Sequence, residues 1–307
     1  MQIPYQTVDV FTDRIFGGNP LAVVPDGQGL TDAEMQAIAR EFNYSETVFL
    51  LPPDDPGHLS RLRIFTPQEE LPFAGHPTIG AAFVLTRLGR LTPDRAGGEV
   101  EATVEVSAGP LAIRVELRSD GSFFGQLTAP LPPTFTPFKV PPRLIAQSLA
   151  LTEGDLAQDL DGIVWVVSCG LPFLVVPLAT QARVEKASID LPAWRELVAI
   201  TGVPQVSLFA PCDDLTRADW HTRMFAPGLG VMEDPATGSA AVALGAWLAR
   251  ASTRVEASFD WILEQGIEIG RPSRLEVLAQ KVAGAVTTLC VGGSAVAVAE
   301  GTLSLPR

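Results

Sequence analysis

Three side chains capable of acid/base chemistry stand out in this 307-residue chain by their neighbours. Glu46 lies between Ser45 and Thr47, at the start of the apolar run Val48 to Leu51. Partial burial there favours the neutral carboxyl group, which suits it to exchange a proton near neutral pH. The same position also reads as a strand-edge glutamate facing water. His76 belongs to the stretch ELPFAGHP (70–77) and Asp234 to EDPATGSA (233–240). Each stretch contains one glycine, Gly75 or Gly238, and leads into small apolar residues. There His76 and Asp234 are placed to hydrogen-bond a substrate or each other, with capping and loop bracing as plainer roles. No nucleophile elbow, phosphate-binding loop or dinucleotide fingerprint is present.

The elements that must position these groups come in duplicate. Glu70, Pro72 and Gly75 align without a gap on Glu233, Pro235 and Gly238. RIFTP (63–67) precedes the first stretch and RMFAP (223–227) the second, and an apolar run follows each (78–85 and 240–248). The same strand, proline, glycine and helix start found twice indicates an internal duplication and two similar halves. Pro77 suits the first helical position, and Ser239 or Thr237 can cap the second helix. Free N–H groups and the positive dipole end at each start favour a carboxylate. Apolar on all sides, both helices should be buried, and at roughly a dozen residues they are too short to span a bilayer. The expected architecture is α+β, with two pseudo-symmetric halves. Each is a curved, mostly antiparallel sheet around a central buried helix, with the site in the cleft between them.

Composition narrows the function classes. A hydrophobic content of 47% with 19% charged residues describes a well-cored globular chain. A net charge of −13 argues against nucleic acid and anionic membrane surfaces. Cys169, Cys212 and Cys290 are far apart, without a C-x-x-C pair, which fits a reduced, cytoplasmic compartment. His58, His76 and His221 lack metal-ligand spacing, so no metal is expected. No targeting segment is read at Met1. The uncharged stretch from Gly162 to Ala182 is broken by Gly170, Pro172 and Pro177, and reads as two buried strands around a turn.

In chain order, Tyr5 to Phe11 and Leu21 to Val24 read as strands flanking a Gly17–Pro20 turn. Thr31 and Glu34 form a capping box for a helix that Asn43 ends. Later strands turn at Ala108-Gly109-Pro110 and at Ser119-Asp120-Gly121. The proline-rich crossing Pro130 to Pro142 reads as an inter-domain linker. Helices are expected near Arg143 to Leu151 and from Pro192 to Ile200, the latter capped by Asp190. Short strands follow Arg250. The halves are placed at 1–127, completed by the terminal strand 298–307, and at 128–297.

GGNPLAVV (17–24), NYSETVFL (43–50), RIFTPQEELPFAGHPTIGAA (63–82), GLPFLVVPL (170–178), MFAPGLGVMEDPATGSAA (224–241) and EQGIEIGRPS (264–273) run in order along nearly the whole chain. In this combination the sequence resembles the phenazine-biosynthesis isomerase family of the diaminopimelate-epimerase-like superfamily. The resemblance implies the superfamily fold and a cofactor-independent proton transfer on a small carboxylated substrate, usually by a homodimer. It implies Glu46 as the acid/base, with His76, Asp234 and Ser239 holding the substrate and assisting. Asn19, Ser45, Gly75 and Gly238 would line the site. Related epimerases place a cysteine before each helix-start glycine, where this chain has Ala74 and Thr237. Neither can act as a thiolate base, so two-thiol racemisation is excluded. An isomerase of a cyclic or conjugated amino acid or carboxylate is the leading expectation, with the dihydro-hydroxyanthranilate of phenazine formation as model substrate. An epimerase or racemase without catalytic cysteines and a non-catalytic small-acid binder are the alternatives.

Overall fold

The computed structural model describes residues 1–95, 97–157 and 163–305. Gly162, at the head of the uncharged stretch, and residues 306–307 of the expected terminal strand lie outside them. The fold is mixed α/β with a large mixed sheet, and the chain divides into two compact units. Unit 1 comprises Met1–Thr128 and Val291–Arg307, and unit 2 comprises Ala129–Cys290.

Unit 1 begins with β1 (Gln2–Val10), β2 (Asn19–Val24), α1 (Asp32–Phe42), β3 (Glu46–Leu51), β4 (Ser60–Phe65), β5 (Glu70–Leu71) and α2 (Gly75–Arg87). It continues with β6 (Glu99–Val106), β7 (Gly109–Leu117) and β8 (Phe123–Thr128). α1 forms as its sequence dictates. Thr31 accepts the Glu34 N–H, Glu34 accepts the Thr31 N–H, and Asn43 closes the helix in the left-handed region at φ 52°. Met35, Ile38 and Ala39 on its inner face pack with Phe49 and Phe65. β1 runs antiparallel to β2, β2 parallel to β3, β3 antiparallel to β4, and β4 parallel to β6. β4 also pairs antiparallel with the short β5. The turn between β6 and β7 is Ser107–Ala108, while Gly109 and Pro110 already belong to the strand.

Unit 2 contains β9 (Thr134–Lys139), α3 (Pro142–Ser148), β10 (Ile163–Ser168), β11 (Pro172–Pro177), α4 (Gln181–Lys186), α5 (Leu191–Thr201) and β12 (Val206–Pro211). β13 (Trp220–Ala226), β14 (Val231–Asp234), α6 (Gly238–Ala251), β15 (Ala257–Gln265) and β16 (Ser273–Val282) follow. β17 (Ala285–Gly293) then carries the chain to β18 (Ala295–Ser304), which pairs antiparallel with β1. The unit 1 pairings recur in order. β10–β11 is antiparallel, β11–β12 parallel, β12–β13 and β13–β14 antiparallel, and β13–β15 parallel.

The proline-rich crossing is not a linker throughout. Its centre is β9, paired along β10 from Ile163↔Lys139 to Ser168↔Thr134. Phe135 and Phe138 of TFTPFK are half-buried, while Pro137, lacking a ladder N–H, is exposed. The uncharged stretch does form two strands, but its end turns into α4. Asp190 caps α5 by accepting the Ala193 N–H.

α2 and α6 are the helices that open at Gly75 and Gly238, and both are buried over most of their length. Each needs a glycine where a strand comes close. A Cβ on Gly80 would meet Leu21 Cδ2 at 2.4 Å, and one on Gly245 would meet Val277 Cγ1 at 2.5 Å. The close packing offsets the roughly 0.5–1 kcal/mol that a mid-helix glycine costs. Among the described residues no helix is long and apolar enough to cross a membrane.

Candidate active site

Glu46 opens β3 and His76 is the second residue of α2, 30 positions further along the chain. The fold brings them together: His76 Nε2 lies 3.4 Å from Glu46 Oε2, with the two side chains 5% and 16% exposed. Because strand side chains alternate, Thr47 points to the opposite face from Glu46, the face on which Phe49 meets α1. Ser45, in the bend just before β3, is half-buried. Asn19, fully buried, opens β2 opposite Val10. Gly75 opens α2 and is buried.

His76 is neutral. Burial pushes its pKa down to about 3, and the positive end of the α2 dipole further opposes a cation there. A neutral imidazole offers one donor and one acceptor nitrogen.

The α2 terminus is left open in a way that α1 is not. Ala74 occupies the N-cap and has no capping side chain, and the first turn carries no acidic residue. Pro77 is the third helical residue, not the first, because the helix already starts at Gly75. The uncapped turn retains donors and a positive potential suited to a carboxylate.

In unit 2, Asp234 ends β14 and is 6% exposed, Gly238 opens α6, and Ser239 follows half-buried. Thr237 is the N-cap, yet neither it nor Ser239 supplies a side-chain cap. The Thr237 hydroxyl donates to Asp234 Oδ2 at 2.5 Å instead, so the α6 start is also open.

Sequence reasoning overlooked what fixes these loops, although the residues lie within the motifs already quoted. Arg63 makes a bidentate pair with Glu70 (Nε–Oε1 2.8 Å, Nη2–Oε2 2.6 Å), tying β4 to β5. Arg223 does the same with Glu233 (2.8 and 2.7 Å), tying β13 to β14. The echo of arginine and glutamate was the available signal.

The three thiols are buried. Burial pushes Cys169 up to about 12, and burial together with Glu264 does the same to Cys212. Neither is a thiolate at neutral pH.

A second histidine behaves oppositely to His76. His221 is fully buried, with Nδ1 2.7 Å from Glu264 and Nε2 2.6 Å from Glu268. Burial lowers its pKa, but the two carboxylates outweigh this and raise it to about 9. Folded His221 binds its proton more tightly than the ordinary value of 6.5. Its stabilisation is therefore complete below about pH 6.5 and lost as pH rises through about 9. His76 has the opposite sign: the unfolded chain takes that proton first, so stability falls from about pH 6.5 towards 3. We expect imidazole NMR to show His221 titrating near pH 9 and His76 still neutral at pH 5. A thermal midpoint that declines on both sides of a maximum near pH 6.5 should accompany this. Titration of both histidines near 6.5 would overturn the assignment.

A family model described as phenazine biosynthesis-like protein (PhzC-PhzF) matches residues 8–301. An uncharacterized isomerase of Mesorhizobium japonicum is 37% identical, over 97% of this chain and 98% of its own. The trans-2,3-dihydro-3-hydroxyanthranilate isomerase of Pseudomonas aeruginosa is 34% identical, over 97% and 98%. Among solved structures, a Bacillus anthracis phenazine biosynthesis protein of the PhzF family superposes with a TM-score of 0.88 at 27% identity, over 99% and 100% of the two chains.

Proposed function

Since this chain belongs to the phenazine biosynthesis-like family and is an isomerase, we propose that it moves a proton, without a cofactor, on a small cyclic or conjugated amino acid or carboxylate. Glu46 is the acid/base. As the carboxylate it takes a proton from a carbon acidified by conjugation, and the electron pair shifts along the conjugated system. The resulting carboxylic acid returns the proton at the far end, so no atom is gained or lost. Neutral His76 holds a polar group of the substrate by hydrogen bonding. Asn19, Ser45 and Gly75 line the position next to Glu46. Asp234, Gly238 and Ser239 hold substrate at the open start of α6.

One observation carries this reading: the Glu46 carboxylate lies 3.4 Å from a buried imidazole at an uncapped helix start. In this reading the carboxylate is the proton acceptor, the imidazole its neutral hydrogen-bonding companion, and the helix start the seat of the substrate carboxylate. The matching order of strand pairings further supports two pseudo-symmetric halves of the diaminopimelate-epimerase-like fold, each a curved sheet around its central helix. A homodimer in a reducing cytoplasm completes the proposal, which light scattering of the purified protein tests for assembly.

The substrate named by the Pseudomonas relative, trans-2,3-dihydro-3-hydroxyanthranilate, is the probe of choice. In deuterated water we expect a rearranged product carrying deuterium. Exchange with inversion and no rearrangement would make the protein an epimerase, and saturable binding without exchange a non-catalytic binder.

A further inference from the structure

We infer that Gln265 is a positioning residue for the α6 site, holding Asp234 and the helix start through Thr237. The inference rests on the proposed role of Asp234 and Gly238 in holding substrate.

Gln265 is the last residue of β15 and is 3% exposed. Its Nε2 donates to the Asp234 carbonyl at 2.8 Å and to Thr237 Oγ1 at 3.1 Å. Its Oε1 accepts the Thr237 N–H at 3.3 Å. All three bonds fall on the four-residue loop from Asp234 to Thr237. With its oxygen accepting from Nε2, the Thr237 hydroxyl is left to donate its proton to Asp234 Oδ2. The amide thus sets the orientation of the Asp234 carboxylate. It also satisfies the N-cap N–H from outside the helix, leaving the first-turn N–H groups of α6 to a ligand.

The rest of the β15–β16 connection supports the same loop. Ser273 Oγ, opposite Gln265 in the ladder, shares its one proton between the Pro235 carbonyl at 3.0 Å and the Arg271 carbonyl at 2.9 Å. Gly266, at φ +76°, has Pro235 O only 2.5 Å from where a Cβ would stand. In unit 1 the equivalent proline carbonyl, Pro72 O, is held by the Ala108 N–H of a tight turn at 3.0 Å. There a backbone N–H holds the carbonyl that the Ser273 side chain holds in unit 2. At this length an amide supplies both N–H donors and the acceptor, and a protonated carboxyl supplies one donor and the acceptor.

Gln265→Met and Gln265→Glu test the assignment in the full chain, with trans-2,3-dihydro-3-hydroxyanthranilate as substrate. We expect Gln265→Met to lose about 10- to 100-fold in kcat/KM, the scale of a small misplacement in a preorganised site. Gln265→Glu should match that loss at pH 8, where an ionised carboxylate has no donor and faces the Asp234 carbonyl. Relative to wild type it should recover as pH falls towards 5, because the protonated carboxyl again offers an O–H donor and a C=O acceptor. A structural defect would depress both variants equally at every pH. Unchanged kcat/KM in Gln265→Met, or a Gln265→Glu to wild-type ratio independent of pH, would overturn the assignment. If wild type fails to turn over the probe, the isomerase reading fails for that compound. Amide hydrogen exchange then decides the positioning role without substrate. Faster exchange at Thr237 and Gly238 in Gln265→Met supports it, and unchanged exchange overturns it.

Discussion

Glu46→Gln is expected to fold as the wild type and to lose proton transfer by about two orders of magnitude or more, the usual scale for removing a positioned acid/base. The amide preserves the size and polarity of the side chain and keeps a hydrogen-bonding atom near His76 Nε2, which lies 3.4 Å from the native carboxylate. What it lacks is a carboxylate that can accept and return a proton. His76 cannot substitute, since burial holds its pKa down to about 3 and makes it a poor base. Substrate affinity should change far less than kcat, because the open α2 start is untouched. The measurements are deuterium incorporation, kcat and KM, with circular dichroism to establish the fold. Turnover within a few-fold of wild type would remove Glu46 from the mechanism and leave His76 and Asp234 to be examined as bases.

Local signals were legible in the sequence to the extent that their chemistry was local. Thr31, Glu34 and Asn43 define α1 within a dozen positions, and the structure places box and left-handed cap on those residues. Asp190 is equally plain for α5. The repeated helix starts were visible too, since glycine, proline and a run of small residues recur in the same order. The contact between Glu46 and His76 was not, because the residues are 30 positions apart and only the packing of β3 against α2 closes the gap. β9 was hidden by Pro137 and the prolines on either side of the strand, whose usual meaning is a break, until its pairing partner β10 was known. Gln265 lies 28 positions beyond Thr237, and no spacing rule connects a strand end to a distant N-cap. The duplicated arginine–glutamate pairs fall between these cases. The residues echo, but their separations are 7 and 10. The structure reconciles the two by placing the three-residue 3-10 turn Pro227–Leu229 in the second loop.

Those two pairs give a direct comparison of one interaction at two depths, and Arg223→Met is expected to cost about 3–5 kcal/mol of stability, the range for breaking a buried pair. Arg223 and Glu233 side chains are 7% and 10% exposed. Arg223 Nη1 also donates to the carbonyls of Val184, Glu185 and Ala187 at 3.0, 3.0 and 2.6 Å, closing the C-terminal end of α4. Methionine retains the aliphatic bulk but leaves a carboxylate buried without its counter-charge and three carbonyls without their donor. Lysine should restore little, being a point charge that cannot serve both the carboxylate fork and the helix end. Arg63 makes the same fork with Glu70, and like Arg223 it lies over a phenylalanine two residues on. Its pair is 19% and 30% exposed, and its remaining partner Asp32 is 84% exposed. Water can take over there, so Arg63→Met should cost about 1 kcal/mol or less. Urea unfolding at pH 7 measures both, and equal losses would show that burial does not set the difference. The double variant Arg223→Met/Glu233→Leu should recover part of the single-variant loss, because the stranded carboxylate is gone. Failure to recover would instead place the cost in the α4 carbonyls, and Arg223 would then matter chiefly as a helix cap.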